Sequence, residues 1–258
     1  MHKSLVVLIL FLNCLSACVS NKEALYFPNV DDAARFEPVG APEHIIRKDD
    51  LLSITVSSSN PEASQIFNLP NTSNAEGRTQ TGEVQRPAGY LVRADGSIAF
   101  PLLGAIKAEG LSKQQLQEVI TTALIQRKLL LDPIVDVRHL NFKVTVLGEV
   151  SRPTVITVAN EKITLLEALG LAGDLTIFGK RSTVLLLRDE GGQRVARRIN
   201  LNSSELLTSP YYYLKADDVI YVEPNRARVA SRTRLFQVLP LFVSGLSASI
   251  FILDRLLR

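Results

Sequence analysis

One seven-residue pattern occurs twice in this chain. Near the start it reads Ile46-Arg47-Lys48-Asp49-Asp50-Leu51-Leu52, and near the end Leu214-Lys215-Ala216-Asp217-Asp218-Val219-Ile220. Each copy runs apolar, basic, any residue, Asp, Asp, apolar, apolar, so the acid pair interrupts two apolar runs and marks a turn between them. After the first copy, Leu52, Ile54 and Val56 alternate with Ser53 and Thr55, the period of two expected of a half-buried strand. A turn feeding a strand, used twice in 258 residues, predicts two related mixed β modules in place of one large fold. The alternative is that short Asp-rich turns recur by chance.

The stretches between the two copies support separate modules. Asp95-Gly96 lies between two alternating segments, Gly89 to Ala94 and Ser97 to Pro101, and predicts a hairpin, because tight turns favour positive φ. Ser112 and Gln115 have the spacing of a capping box, and Leu116, Val119, Ile120 and Leu124 give the helix that follows an apolar face. Asp132-Pro133 closes this region, and Ile134, Val135 and Val137 begin another strand. Further on, Val144 to Leu147 and Val155 to Val158 flank a Gly148-to-Pro153 turn. Thr164 and Glu167 form a second capping box, with Gly173 as the helix stop. Val184 to Leu187 and Val195 to Ile199 flank Asp189-Glu190-Gly191-Gly192 as another hairpin. Residues 57–88 are polar and aperiodic, longer than most loops of a compact domain, and are expected to be disordered or functional.

Both ends of the chain are apolar. Met1-His2-Lys3 and the run from Leu5 to Leu12 have the form of an export signal, and Leu15-Ser16-Ala17-Cys18 resembles the bacterial lipobox. Cleavage before Cys18 would leave it as the lipidated first residue; the chain's other cysteine, Cys14, departs with the signal. Val19 stands where an Asp would resemble an inner-membrane retention signal, which favours the outer membrane. At the far end, a helix over residues 235–257 would run about 34 Å at about 1.5 Å per residue, enough to cross a hydrocarbon core. Along it Gln237, Ser244, Ser247 and Asp254 fall on one stripe of small or polar residues, the candidate pore or helix-interface side. Arg226, Arg228, Arg232 and Arg234 precede it. An inner-membrane placement would leave these arginines outside, against the positive-inside bias.

Catalytic chemistry is hard to find. A net charge of +3 without a Lys/Arg block argues against a nucleic-acid partner. His44 and His139 are isolated in the sequence, no His/Cys cluster has metal-ligand spacing, and no phosphate-binding loop or nucleophile elbow occurs, so neither metal nor cofactor is expected. Asp49, Asp50, Asp95, Gly96, Asp217 and Asp218 read as structural turn residues. Tyr211-Tyr212-Tyr213 reads either as a sugar-stacking platform or as a strand packing aromatics on two faces.

Taken in order, several of these segments resemble a known family. Ile46 to Asp50, Val92-Arg93-Ala94-Asp95-Gly96-Ser97-Ile98 with Pro101 to Gly104, and Asp132 to Val137 resemble the N-terminal domain of bacterial outer-membrane polysaccharide export lipoproteins. Val146 to Val150 with Arg152-Pro153, Leu166 to Ala168, Ala172-Gly173 and Asp218 to Val222 resemble the soluble-ligand-binding β-grasp (SLBB) domain that follows it. The family usually has Gly-Asp where this chain has Asp49-Asp50 and Asp217-Asp218, and glycine is common where Thr154 and Asp174 stand. The resemblance implies an α+β fold: a lipoprotein signal peptide (1–17), a tether (18–42), a polysaccharide export domain (43–140), one β-grasp domain (141–224), and a basic linker with a C-terminal transmembrane helix (225–258). It also implies a homo-oligomeric ring, with an octamer as the family form, anchored through Cys18 in the outer membrane. The ring would conduct capsular or extracellular polysaccharide, driven by an inner-membrane polysaccharide co-polymerase with tyrosine-kinase-like activity. The alternative is a periplasmic glycan-binding adaptor or sensor without a pore.

Overall fold

A computed structural model describes residues 25–72 and 88–231, and beyond them residues 238, 243–245, 247, 249 and 255. It is a mixed α+β chain with two separate hydrophobic cores.

The first core is organised around β1 (Leu51–Ser57). Its alternation puts Leu52, Ile54 and Val56 inward, each almost fully buried, at roughly 1.5–3 kcal/mol of hydrophobic stabilisation per side chain. Along one edge β1 pairs antiparallel with β5 (Ile134–His139), from Leu52 opposite His139 to Ser57 opposite Ile134. The other edge is covered first by β2 (Tyr90–Leu91) and then by two side chains. Asn68 both accepts from and donates to the Val56 backbone, and Asn71 does the same for Ile54. These amides stand in for a missing strand and close an edge that would otherwise be open.

Asn68 is the last residue of α1 (Pro61–Asn68) and Asn71 follows it; this helix lies within the stretch expected to be disordered or functional. Asn60 caps it by accepting from the Ala63 amide, Pro61 suits its first turn, and Phe67 anchors it in the core. It has only eight residues, too few for periodicity to stand out against a polar background. Residues 73–87 lie outside the described residues.

The expected hairpin at Asp95-Gly96 is corrected. The tight turn is present, with the Gly96 amide donating to Arg93 O and the Arg93 amide donating to Ser97 O. The flanking segments, however, do not pair with each other. Instead β2 joins β1, while β3 (Ser97–Phe100) pairs with β4 (Gly104–Lys107) as a separate two-stranded sheet. Gly96 also receives the Ala108 and Glu109 amides on its carbonyl, so the turn is held by the end of β4 and not by a ladder of its own. Next comes α2 (Lys113–Gln126), whose capping box joins Ser112 and Gln115 reciprocally. Leu116, Ile120 and Leu124 enter the core, whereas Val119 faces outward at 42% exposure.

The second core lies beneath a five-stranded mixed sheet of order β7-β6-β10-β8-β9. Its strands are β6 (Lys143–Gly148), β7 (Thr154–Thr157), β8 (Val184–Glu190), β9 (Gln193–Ile199) and β10 (Val219–Val222). The last strand is central, parallel to β6 and antiparallel to β8, so the second copy of the repeated pattern delivers the strand that joins two hairpins. Gly148 is required at the end of β6, since it sits at φ +93 and a Cβ there would lie 2.1 Å from Val222 O. The helix α3 (Leu165–Leu171) carries the Thr164/Glu167 capping box and ends at Gly173. A short α4 (Arg226–Ser231) follows, with Arg228 paired to Glu149 at 2.9 Å.

The expected tether is only partly free, because Tyr26 and Phe27 pack against the second core and Tyr26 donates a hydrogen bond to Asp174. Among the described residues no helix is long and apolar enough to cross a membrane. Most of residues 235–257, on which that expectation falls, lie outside the described residues, as does Cys18.

Candidate functional site

The two copies of the repeated pattern fold into the same turn. Asp49 and Asp217 take left-handed backbone conformations, φ 67° and 64°, which Asp tolerates better than most residues. In each copy the second acid folds back onto the turn. Arg47 N–H donates to Asp50 Oδ2 at 2.8 Å, and Lys215 N–H donates to Asp218 Oδ2 at 2.8 Å. The backbone repeats as well: Asp50 N–H donates to Arg47 O at 3.3 Å, and Asp218 N–H to Lys215 O at 3.2 Å. Even the amide of the first acid is used alike, Asp49 donating to Val92 O and Asp217 to Lys143 O.

Burying two carboxylates this way requires a positive partner for each, since an unpaired buried charge is very costly. Asp218 is fully buried and meets Arg188 from β8 in a two-pronged contact, Nη2 at 2.7 Å and Nε at 2.9 Å. The same guanidinium donates to Tyr213 O at 3.0 Å. A permanently charged fork thus closes the second turn.

Asp50 meets histidines instead. His139, at the end of β5, and His44, just before the turn, point their Nε2 atoms at Asp50 Oδ2 from 3.5 and 3.6 Å. The rings lie edge to face with centroids 4.1 Å apart. His139 Nδ1 sits 3.2 Å from Glu161 Oε2, and its backbone amide donates to Glu161 Oε1 at 2.8 Å. Glu161 belongs to the second module, and Lys113 from α2 pairs with it at 2.7 Å. The cluster therefore lies at the junction of the modules.

Its electrostatics follow from that crowding. Burial alone would raise the Asp50 pKa, but His139, His44 and the Arg47 amide outweigh it and hold the carboxyl far below the usual range. Burial is likewise overridden at Glu161, which His139 and Lys113 bring down to about 2. For His139, burial opposes the charged ring, yet Asp50 and Glu161 prevail and keep its pKa above the ordinary value.

The expectation of isolated histidines is therefore corrected. His44, Asp50 and His139 converge, with one donor atom from each lying within 4.8 Å of the others. His44 and His139 are 95 positions apart, and only the register of β5 on β1 brings them together, so no sequence spacing could have shown the group. The available signal was positional: one histidine opens the first module and the other closes it.

The other expected residues are dispersed. Asp95 accepts from the Ser97 amide and hydroxyl and, with Gly96, makes the turn beside β4. Tyr211, Tyr212 and Tyr213 form a half-buried turn and not a strand; Tyr211 accepts from Arg197 Nε at 3.0 Å. Ser244 and Ser247 are helical and exposed, with Ser247 donating to Val243 O at 2.9 Å, while Gln237 and Asp254 lie outside the described residues.

Comparison with known proteins agrees with this two-module architecture. Residues 39–140 match the family described as polysaccharide biosynthesis/export protein, and residues 143–198 match the SLBB domain. The "EPS I polysaccharide export outer membrane protein EpsA" of Ralstonia solanacearum is 30% identical over 141 residues, covering 53% of this chain and 36% of that protein. Its counterpart of the same name in Ralstonia nicotianae is 29% identical over 181 residues, covering 67% of this chain and 45% of that one. The chain thus spans less than half the length of these curated relatives. With both modules matched in consecutive order, the chain belongs to the polysaccharide biosynthesis/export family, a family of transport rather than of catalysis.

Proposed function

We propose that this chain is the subunit of a homo-oligomeric outer-membrane channel that passes capsular or extracellular polysaccharide from the periplasm to the cell surface. The observation that carries the reading is the order of parts: a lipobox-like Leu15 to Cys18, then the polysaccharide export segment, then the SLBB segment. The relatives' name, polysaccharide export outer membrane protein, supports the same reading. On this reading Cys18 carries the lipid, stacked rings of the two modules enclose the periplasmic path, and residues 235–257 form a ring of helices at the outer membrane. Gln237, Ser244, Ser247 and Asp254 would face neighbouring helices or the lumen. Leu131, Ile177 and Ile134 are 91%, 82% and 70% exposed in the single chain, apolar surface that neighbours in a ring would cover.

The mechanism is passage without bond-making, so the work must come from elsewhere, and an inner-membrane polysaccharide co-polymerase with tyrosine-kinase-like activity would supply it. Two measurements test the reading. Particles of the full chain in detergent are expected to show rotational symmetry; a monomer overturns the channel. Deletion of residues 235–258 is expected to abolish surface polysaccharide. Normal surface levels after that deletion would instead indicate an adaptor that binds glycan without a pore.

A further inference from the structure

We infer that His44, Asp50 and His139 form a binding site for one divalent transition cation, zinc by donor type, built within the export module where His139 meets Glu161 of the SLBB module. In the first turn the ion takes the place that the Arg188 guanidinium holds in the second.

Four observations carry this. The distances come first: 3.5 and 3.6 Å from the two Nε2 atoms to one carboxylate oxygen are too long for good hydrogen bonds. They are close to the separation of about 3.3–3.4 Å between neighbouring ligands of a tetrahedral ion with bonds of about 2.0–2.1 Å. The second is satisfaction. Nε2 of His44 and Nε2 of His139 are both buried without a hydrogen-bond partner, and the His139 side chain is only 1% exposed. Both unpartnered atoms face the same point.

Third is the orientation of His139. Its Nδ1 is engaged by the Glu161 carboxylate, the arrangement that fixes a metal-ligating imidazole with its other nitrogen free to coordinate. Glu161 is a positioning residue here, since its two oxygens are already taken by His139 and Lys113. Glu161 comes from the second module, so the site lies against the junction. The fourth is access. A cavity of about 100 Å³ lined by His44, Phe142, Glu161, Lys162 and Tyr213 opens on the His44 side of the cluster and is large enough to admit water.

The test uses the tag-free full chain in detergent, stripped with a chelator and titrated with Zn²⁺ against a chromophoric competitor. One competing equivalent per chain is expected. Co²⁺ in its place should give the intense visible bands of a four-coordinate ion. His44→Gln and Asp50→Asn should each lose that equivalent, and Zn²⁺ should raise the melting temperature of the wild type but not of His44→Gln. Glu161→Gln should keep the site with affinity weakened roughly 10–100-fold. The wild type decides without any variant: failure to compete, or weak bands of a hydrated six-coordinate Co²⁺, overturns the proposal. An equivalent that survives unchanged in His44→Gln overturns it too, because the ion then sits elsewhere.

Discussion

The two acid-pair turns share a backbone, a left-handed first Asp and a carboxylate folded onto the amide three residues back. They differ in what neutralises that carboxylate. In the SLBB module a cation is built into the chain, Arg188, whose fork satisfies the acid whatever the solution contains. In the export module two imidazoles supply a partner whose charge depends on protons or on a bound ion. The lesson is that a repeated turn fixes where a buried acid goes but not how firmly it is held. The second turn is a closed structural element, while the first is conditional and lies where the two modules meet.

Substitutions can break this contrast. The largest effect is expected for Asp218→Asn, which leaves the 4%-exposed Arg188 without its counter-charge and should cost about 3–5 kcal/mol in chemical denaturation. Asp50→Asn, compared in chelator-containing buffer, should cost only about 1–3 kcal/mol, because no permanent buried cation is left behind and the loss is one charged acceptor. Equal costs for the two would erase the distinction between built-in and conditional partners. Asp49→Ala and Asp217→Ala should each lose about 1–2 kcal/mol, since both residues hold left-handed backbone. A large disparity between those two would mean that the turns are alike only in outline. Smallest are the helix caps, where Ser112→Ala and Thr164→Ala should each lower stability by about 1 kcal/mol, read as a shift in denaturation midpoint at constant slope.

What could be read in advance was local. The capping boxes at Ser112/Gln115 and Thr164/Glu167 depend on residues three apart, and both form. The β6–β7 and β8–β9 hairpins likewise follow from alternation around a turn. The pairing of β3 with β4, by contrast, was not legible, because an Asp-Gly turn specifies a reversal and leaves the ladder partner open. Nor was the cover that Asn68 and Asn71 provide for β1, since each acts as an imitation strand only once α1 has folded beside it.

By itself, then, the sequence determined the repeated turn, the capped helices and the two-module order. All of these rest on interactions within a few residues, where chain geometry leaves little choice. Only the tertiary structure decided which cation meets each buried acid. Asp218 and Arg188 are 30 positions apart, and Asp50 and His139 are 89 apart; both pairings depend on the register of whole strands. Register is set by the fit of two entire cores, and no short stretch of sequence carries that information.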